Sequence, residues 1–264
     1  MAFLNTSDGA RIHYKLQGKQ IGRSPVLLFI HGWCSNLEHW TPQTKYFSRT
    51  HRVLRVDRRG LGKSTTPGTG HTAKQHAADI AAVARAVGVR RVVAIGHAGG
   101  GPCTLELTRT YPKLVKAAVM IDSGMYPKPR LNDPKSPFGM VLGPMADALR
   151  SPNGKAAFKQ MYQGFFSPKC DKAVTRQAVA DAMRTPMDVV IDEIDVMAVS
   201  TQRIADDIEQ PVLWLTAVGV DQGYIGKHLK NVQFAQVAGS GHFPQLEVPD
   251  QTNAMIETFV KQLA

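Results

Sequence analysis

Cysteine is scarce in this sequence of 264 residues, and no run of apolar residues is long. The cysteines, Cys34, Cys103 and Cys170, are odd in number and lack the spacing of metal ligands, which excludes a disulfide framework and a zinc site. No stretch approaches the roughly 20 apolar residues of a membrane-spanning helix. The first residues lack the order of a signal peptide, in which basic residues precede an apolar run. We therefore expect a soluble, cytoplasmic protein that does not associate with membranes.

Acidic residues are outnumbered by basic ones. Lys and Arg total 32 against 21 Asp and Glu, which gives a net charge of +11. The first 150 residues hold 22 basic and 8 acidic residues, whereas the remainder holds 10 and 13. The basic residues are dispersed and have no interleaved aromatic residues, so a solvated basic face explains them better than a nucleic-acid partner. We expect a small-molecule substrate and no nucleic acid, and the sequence leaves the oligomeric state open.

Short apolar runs alternate with helical patterns over the first 125 residues. Strand patterns occur at 25–30, 51–57, 91–96 and 115–121, of which the first is a near-continuous apolar run, and helical patterns occur at about 72–87 and 100–111. Such runs are typical of strands that are buried on both faces of a parallel sheet. The alternation therefore predicts an α/β fold.

The alternation stops between about residues 126 and 207. Prolines interrupt the entry at positions 127, 129, 134, 137 and 144, and helical patterns follow at 154–166, 172–184 and 186–199 with no strand between them. Strand patterns return at 211–216 and 231–237, before a last helix at 249–263. We predict one domain, in which residues 1–125 and 208–264 form the α/β core and residues 126–207 form a helical cap.

The strand that ends near residue 96 continues into the turn Gly96-His-Ala-Gly-Gly100 and then directly into a helix. A turn this tight strains the backbone of its central residue, requires small neighbours on both sides and lifts the central side chain above the sheet. The frame is G-x-S-x-G, with Ala98 where serine is expected.

Four segments in order resemble those of the α/β-hydrolase superfamily, and the resemblance covers nearly all of the chain. The turn at 96–100 is similar to the nucleophile elbow and His31-Gly-Trp33 to the oxyanion loop. Asp57-Arg-Arg-Gly-Leu-Gly-Lys-Ser64 resembles the loop after the fourth strand, and Gly239-Ser-Gly-His-Phe-Pro244 resembles the C-terminal histidine loop. The resemblance implies a mostly parallel twisted sheet flanked by helices, with an inserted helical cap.

The resemblance also implies roles for individual residues. His242 would be the general base, and the backbone N–H groups of Trp33 and Gly99 would form an oxyanion hole. His97 supports loop packing in this fold or contacts a ligand. The expected activity is hydrolysis of a small, largely apolar carboxylic ester or lactone, with no cofactor and no metal.

Two aspartates are candidates for the acid that orients His242. Asp221 follows the predicted strand 211–216, where most of the superfamily carries this acid, but the residues around it match the usual motif poorly. Asp122 ends the strand 115–121 and occupies the position that some lactonases, dehalogenases and cofactor-free dioxygenases of this fold use. We favour Asp122 and keep Asp221 as the alternative.

Ala98 departs from the family pattern, because no acyl-enzyme forms without a hydroxyl. Either a Ser→Ala substitution has inactivated a serine hydrolase, which the neighbours of position 98 favour, or a natural member needs no nucleophile. The segments 32–34, 120–122, 126–129 and 241–250 are similar to those of cofactor-independent 3-hydroxy-4-quinolone 2,4-dioxygenases. In those enzymes a His/Asp pair deprotonates the substrate, which then reacts with oxygen. A hydrolase-like protein that binds its ligand without chemistry is a third interpretation.

Overall fold

A computed structural model describes residues 2–19, 22, 24–127, 137–197 and 199–263. The strands in these ranges are β1 (Ala2–Asn5), β2 (Arg11–Gln17), β3 (Val26–Ile30), β4 (Val53–Val56), β5 (Val92–His97), β6 (Val115–Ile121), β7 (Val212–Thr216) and β8 (Val232–Gln236). They form one sheet in the order β1-β2-β4-β3-β5-β6-β7-β8. The pairs β1/β2 and β2/β4 are antiparallel, and the strands from β4 across to β8 pair in parallel. The predicted mostly parallel sheet is confirmed.

The direction of winding reverses at β3. From β3 the chain first adds β4 on one side and then β5 on the other. A crevice therefore opens at the carboxyl ends of β3 and β5, which is where ligands bind in open α/β sheets. Every residue of both strands is buried, in agreement with their continuous apolar composition.

The helices begin with a 3-10 helix at Leu37–Trp40. The α-helices in the described ranges are α1 (Thr41–Phe47), α2 (Ala73–Ala86), α3 (Gly100–Thr110), α4 (Pro137–Arg150), α5 (Gly154–Gly164), α6 (Lys172–Ala182), α7 (Met187–Asp192), α8 (Ile194–Met197), α9 (Thr201–Ala205), α10 (Gln222–His228), α11 (Pro244–Glu247) and α12 (Pro249–Gln262). We call α4 to α9 the inserted helices, because they lie between β6 and β7. No helix in the described ranges combines the length and the apolar character needed to cross a membrane.

Helices cover both faces of the sheet. On one face Leu28 packs with Ile80 of α2, and on the other Phe29 packs in the same cluster as Phe259 of α12. A third apolar cluster joins the inserted helices to Trp33 and Phe243 of the core. The burial of apolar area at these three places is the main force that holds the layers together.

Three local features differ from the sequence predictions. The hairpin of β1 and β2 was not predicted, because these two strands are only partly buried and lack a continuous apolar run. The predicted break at positions 137 and 144 is wrong: Pro137 begins α4, where a missing N–H is harmless, and Pro144 lies inside the helix. Prolines 129 and 134 lie outside the described residues. The helix predicted at 186–199 is divided into α7 and α8. The cap boundaries at 126 and 207 stay a prediction.

Candidate active site

The turn after β5 is strained at its central residue. Ala98 has a φ of +48°, in the left-handed region that residues with a Cβ seldom adopt. Glycine is required on both sides of it, since a Cβ on Gly96 would collide with Thr104 Oγ1 and a Cβ on Gly100 would lie 2.5 Å from the carbonyl oxygen of Ile30. Strain of this kind is characteristic of functional turns and directs the residue-98 side chain above the sheet.

His242 and Asp122 form a hydrogen-bonded pair beside this turn. His242 Nδ1 lies 2.6 Å from Asp122 Oδ2, and Asp122 Oδ1 accepts the backbone N–H of Ala217 at 2.9 Å. Burial acts to raise the pKa of the Asp122 carboxyl, but the hydrogen bond and the charge of His242 outweigh it, so its pKa lies below the usual value. An ionised Asp122 accepts a hydrogen bond from Nδ1–H and leaves Nε2 of His242 free to act as a base.

Asp221 does not contact His242. It is exposed and forms the N-cap of α10, where its Oδ1 accepts the backbone N–H of Tyr224 at 2.8 Å. Aspartate is among the best N-cap residues, so the helix alone accounts for this side chain. Of the two candidate acids, the structure brings only Asp122 to the histidine.

The loop that carries His242 is held from both sides. Its backbone N–H donates to the carbonyl of Phe165, which follows α5, at 2.7 Å, and its own carbonyl accepts Nε2–H of His97 at 2.7 Å. Gly241 must lack a side chain, because a Cβ there would lie 2.5 Å from the Phe165 oxygen. Glu247 accepts the backbone N–H groups of Gly241, Ser167 and Phe243 at 2.9 to 3.2 Å. These contacts fix the imidazole over the turn.

His97 lies beneath this loop and outside the cavity that contains position 98. Burial, reinforced by the charge of His242, lowers the pKa of His97 far below its usual value. The neutral ring therefore keeps the proton on Nε2 and supports the His242 carbonyl. Of the two roles that the sequence left open for His97, this position corresponds to loop packing rather than ligand contact.

The backbone N–H groups of Trp33 and Gly99 belong to two segments that lie side by side near position 98. A Cβ built on Gly99 would lie 3.3 Å from the backbone nitrogen of Trp33, so these two segments are adjacent. Within the described ranges neither N–H donates to another protein group. Unsatisfied donors at such a place are the components of an oxyanion hole. The indole of Trp33 faces elsewhere: its N–H donates to Val190 of α7 at 3.0 Å, and its ring packs edge-on against Phe158 at 5.0 Å between centroids.

A cavity of 210 Å³ is bordered by Ala98, Gly99, Asp122 and His242. It is smaller than the roughly 300 to 1,000 Å³ of pockets for drug-sized ligands, which indicates a small substrate. Its walls combine the strand ends with the inserted helices: Ala98, Gly99, Pro102, Asp122, Ser123, Gly124, Tyr126, Leu142, Met197, Thr201 and His242. A larger cleft of 1110 Å³ lies between the loops 35–45 and 57–66 and helices α6 and α7. It touches neither Ala98 nor His242, so we place the candidate site in the smaller cavity.

Residues 25–249 match the family described as the alpha/beta hydrolase fold. The chain belongs to the alpha/beta hydrolase family. The match includes the turn at Ala98, both loops that supply backbone donors, Asp122 and His242.

The relatives of this chain include proteins with several activities. A non-heme chloroperoxidase of Streptomyces lividans is 38% identical over 144 residues, which are 54% of this chain and 51% of that protein. A bifunctional esterase/perhydrolase of Acinetobacter calcoaceticus is 35% identical over 128 residues, which are 48% of this chain and 46% of that protein. The chain therefore spans about half the length of the curated relatives it matches. The crystal structure of the enol-lactonase from Burkholderia xenovorans LB400 has a TM-score of 0.83 at 18% identity, covering 98% of this chain and 100% of that chain. That likeness shows the fold.

Sequence reasoning missed a buried charge network beside the site. Arg58 Nη1 lies 2.6 Å from Glu193 Oε2, and His76 Nε2 and His71 Nδ1 lie 2.9 and 3.1 Å from Glu193 Oε1. Burial acts to raise the pKa of Glu193, but the charges of Arg58 and His76 hold it well below the usual value. The doubled arginine after β4 is the one signal in the sequence, and nothing local marks Glu193 as its partner.

The same cluster contains the metal-like donor set of the described residues. Donor atoms of His71, His76 and Glu193 lie within 4.8 Å of one another. However, Arg58 Nη1 lies 3.2 Å from His76 Nε2 and also bonds Glu193. A guanidinium already neutralises the carboxylate and would repel a cation, so the cluster is better suited to a buried ion pair than to a metal.

Two buried histidines are expected to make the folded hydrolase sensitive to acid. Burial lowers the pKa of His31 to about 3, with Arg58 acting in the same direction, and lowers that of His39 to about 4. In the unfolded chain both titrate near pH 6.5, so below that pH the unfolded state binds more protons and stability falls as the pH falls. Each histidine is expected to remove on the order of 3 kcal/mol of unfolding free energy between about pH 7 and pH 4.

Urea unfolding at a series of pH values between these limits checks this prediction. His39 makes a suitable control position, since neither of its ring nitrogens has a hydrogen-bond partner among the described residues. His39→Leu should leave the stability at neutral pH unchanged or higher and should flatten the pH dependence. An unfolding free energy of the unaltered chain that stays constant from neutral pH to about pH 4.5 would contradict the buried, neutral state of these rings.

Proposed function

We propose that this site hydrolyses small, largely apolar carboxylic esters or lactones, and that Ala98 is a Ser→Ala substitution at the nucleophile position. The observation that carries the proposal is the His242–Asp122 pair, joined at 2.6 Å, which shares one small cavity with position 98 and Gly99. Base, nucleophile position and oxyanion donors are the three components of acyl transfer through a serine.

With serine at position 98 the reaction has two steps. The Oγ attacks the substrate carbonyl carbon while its proton passes to Nε2 of His242, and the carbonyl oxygen becomes an oxyanion between the N–H groups of Trp33 and Gly99. The C–O bond then breaks, and the leaving alkoxide takes the proton from His242. A water molecule, deprotonated by the same nitrogen, releases the acid and restores the serine.

The walls of the cavity support the substrate class. Leu142 and Met197 of the inserted helices and Pro102 of α3 supply apolar surface opposite the base. The cavity volume of 210 Å³ favours short acyl groups or single-ring lactones. An esterase among the relatives and an enol-lactonase among the structural neighbours agree with this chemistry. We propose a small molecule as the only reaction partner.

Covalent capture tests the role of position 98. A fluorophosphonate should label the Ala98→Ser protein at residue 98, because the activated Oγ displaces fluoride at phosphorus, and mass spectrometry of the peptide would locate the adduct. The unaltered chain is the matched control and should remain unlabelled. An Ala98→Ser protein that stays unlabelled while folded would argue against a nucleophile at this position.

A second candidate function uses the pair without any nucleophile. The specific observation in its favour is that His242 and Asp122 are fully assembled in a chain whose residue 98 is alanine. Such a pair can deprotonate a 3-hydroxy-4-quinolone, whose anion then reacts directly with oxygen so that the heteroaromatic ring is cleaved. This candidate predicts oxygen uptake by the unaltered chain with that substrate and loss of the uptake in His242→Ala.

A further inference from the structure

The peptide unit that joins Gly32 to Trp33 lies at the oxyanion hole. Its carbonyl belongs to Gly32 and its N–H to Trp33, and in a planar trans peptide these two groups point in opposite directions. Whatever holds the Gly32 oxygen therefore also sets the direction of the Trp33 N–H. The hydrogen bonds to the Gly32 oxygen therefore determine how well the Trp33 N–H is placed to donate.

The Gly32 oxygen accepts several hydrogen bonds. Arg58 Nη2 donates to it at 2.9 Å, His31 Nδ1 at 3.0 Å and the backbone N–H of Ser35 at 3.4 Å. His31 is neutral because its pKa is about 3, and its Nε2 accepts the backbone N–H of Arg58 at 2.9 Å. The donor from Arg58 is charged, which makes its bond the strongest of the three.

Arg58 also donates a hydrogen bond to a second carbonyl of the oxyanion loop. Its Nε donates to the carbonyl of His31 at 2.9 Å, so the guanidinium spans two consecutive carbonyls of the oxyanion loop. Its side chain is fully buried. A planar fork of donors suits such a task, whereas a lysine ammonium could satisfy one carbonyl at a time.

Glu193 holds the guanidinium in place from the inserted helices. It lies between α7 and α8, and its carboxylate bonds Arg58 at 2.6 Å and accepts His76 and His71 on its other oxygen. The inserted helices thus reach the Arg58 guanidinium through a buried carboxylate. Because both side chains of this ion pair are fully buried, water does not compete for either partner.

We propose that Arg58 is the positioning residue of the oxyanion hole and that Glu193 fixes it, so that the inserted helices set the direction and strength of the Trp33 N–H donor. The charged hydrogen bond to the Gly32 oxygen draws electrons from the peptide and makes its N–H a stronger donor. The oxyanion of the transition state gains more from this stronger donor than the ester carbonyl of the ground state does, since a neutral carbonyl oxygen is a weaker acceptor. The role in hydrolysis rests on the proposed function; the orientation of the peptide does not.

A double substitution separates positioning from stability. Removing Arg58 alone would leave the Glu193 carboxylate buried without its guanidinium partner, whereas Arg58→Met with Glu193→Leu replaces the pair by apolar side chains of similar volume. The neighbouring pair of Arg59 and Asp79 supplies a matched control. Arg59 is also inaccessible to solvent, bonds Asp79 through two contacts of 2.9 Å and pairs with the half-exposed Asp8 at 2.6 Å, and among the described residues it makes no hydrogen bond to the oxyanion loop. The control protein carries Arg59→Met with Asp79→Leu.

Kinetics are measured with each pair exchanged in the Ala98→Ser protein. Loss of one well-placed oxyanion donor lowers kcat by about 10²- to 10³-fold, and we expect a fall of this size with KM unchanged for the Arg58/Glu193 exchange. The Arg59/Asp79 exchange should lower kcat by much less. If the Arg58/Glu193 protein retained the full kcat, or if both exchanges lowered it equally, the proposal would be overturned.

A spectroscopic measurement on the unaltered chain is independent of hydrolysis. The Trp33 amide should move to lower ¹H frequency in two-dimensional NMR after the Arg58/Glu193 exchange, because its peptide loses the charged bond, and should stay in place after the Arg59/Asp79 exchange. An unmoved Trp33 signal refutes the inference even if Ala98→Ser is active. A moved signal supports it even if Ala98→Ser is inactive, in which case the proposed function is what fails.

Arg58→Lys provides a second variant if the double exchange does not fold. It keeps a positive charge beside Glu193 and removes the fork, so the protein stays paired while one loop carbonyl loses its donor. We expect the same pattern at smaller size, with a lower kcat, an unchanged KM and a shifted Trp33 amide. An unchanged kcat together with an unmoved Trp33 amide signal would overturn the proposal.

Discussion

Ala98→Ser is expected to raise the kcat/KM of this hydrolase on short esters or lactones by about 10³-fold or more. A site that lacks its nucleophile keeps only about 10³- to 10⁴-fold acceleration over water, which comes from the oxyanion hole and binding. Serine adds one oxygen to a backbone that already has the elbow conformation, with φ at +48°. The oxygen would point into the cavity that contains His242, so no rearrangement is needed before it acts.

The measurement is a comparison of the two proteins on p-nitrophenyl esters of increasing chain length and on five- and six-membered lactones. The gain should be greatest for short acyl groups, because the cavity has only 210 Å³. Adding His242→Ala to the Ala98→Ser protein is the control and should return the rate to that of the unaltered chain. Equal rates for the first two proteins across the panel would remove the covalent mechanism, and oxygen uptake with 3-hydroxy-4-quinolones would then be decisive.

Asp122→Asn in the Ala98→Ser protein is expected to lower kcat by about 10⁴-fold. The Asp122 Oδ1 accepts the backbone N–H of Ala217 at 2.9 Å, and an asparagine oxygen would take over that bond. Its NH₂ group would then face Nδ1 of His242 as a second donor. The ring must respond by moving its proton to Nε2, which leaves no base toward position 98.

Asp221→Asn is the matched comparison for this prediction. Asparagine caps helices as well as aspartate does, so α10 should keep its stability and the rate should not change. The KM of both variants should stay near that of the Ala98→Ser protein, since neither change removes apolar surface from the cavity. A large loss for Asp221→Asn with a small one for Asp122→Asn would reverse our assignment of the acid.

The two candidate aspartates show how much of the site could be predicted from the sequence. Each aspartate follows an apolar strand, β6 for Asp122 and β7 for Asp221, and local patterns predicted both positions correctly. The residues around Asp221 already matched the usual family motif poorly in the sequence. The contact with His242 depends on where the last loop crosses the sheet, which involves residues 120 positions apart.

Arg58 shows the limit more clearly. Two adjacent arginines after a buried strand look alike in sequence, yet Arg58 turns toward the oxyanion loop and Arg59 toward Asp79 of α2. Glu193 carries no local mark of burial, because its pairing with Arg58 arises when α7 packs onto the core. A buried ion pair needs both partners in place before either is favourable, so no single segment reveals it.

The sequence by itself determined the parallel sheet, the positions of its buried strands along the chain, the family and the strained turn at Ala98. These features follow from local causes: continuous apolar runs, helix and strand periods, and glycines where a Cβ would collide. Only the tertiary structure decided that Asp122 bonds His242, that His97 lies behind the cavity and that Arg58 spans two carbonyls of the oxyanion loop. Each of these depends on the direction of side chains from segments distant in the chain, which packing of the layers sets and local patterning does not.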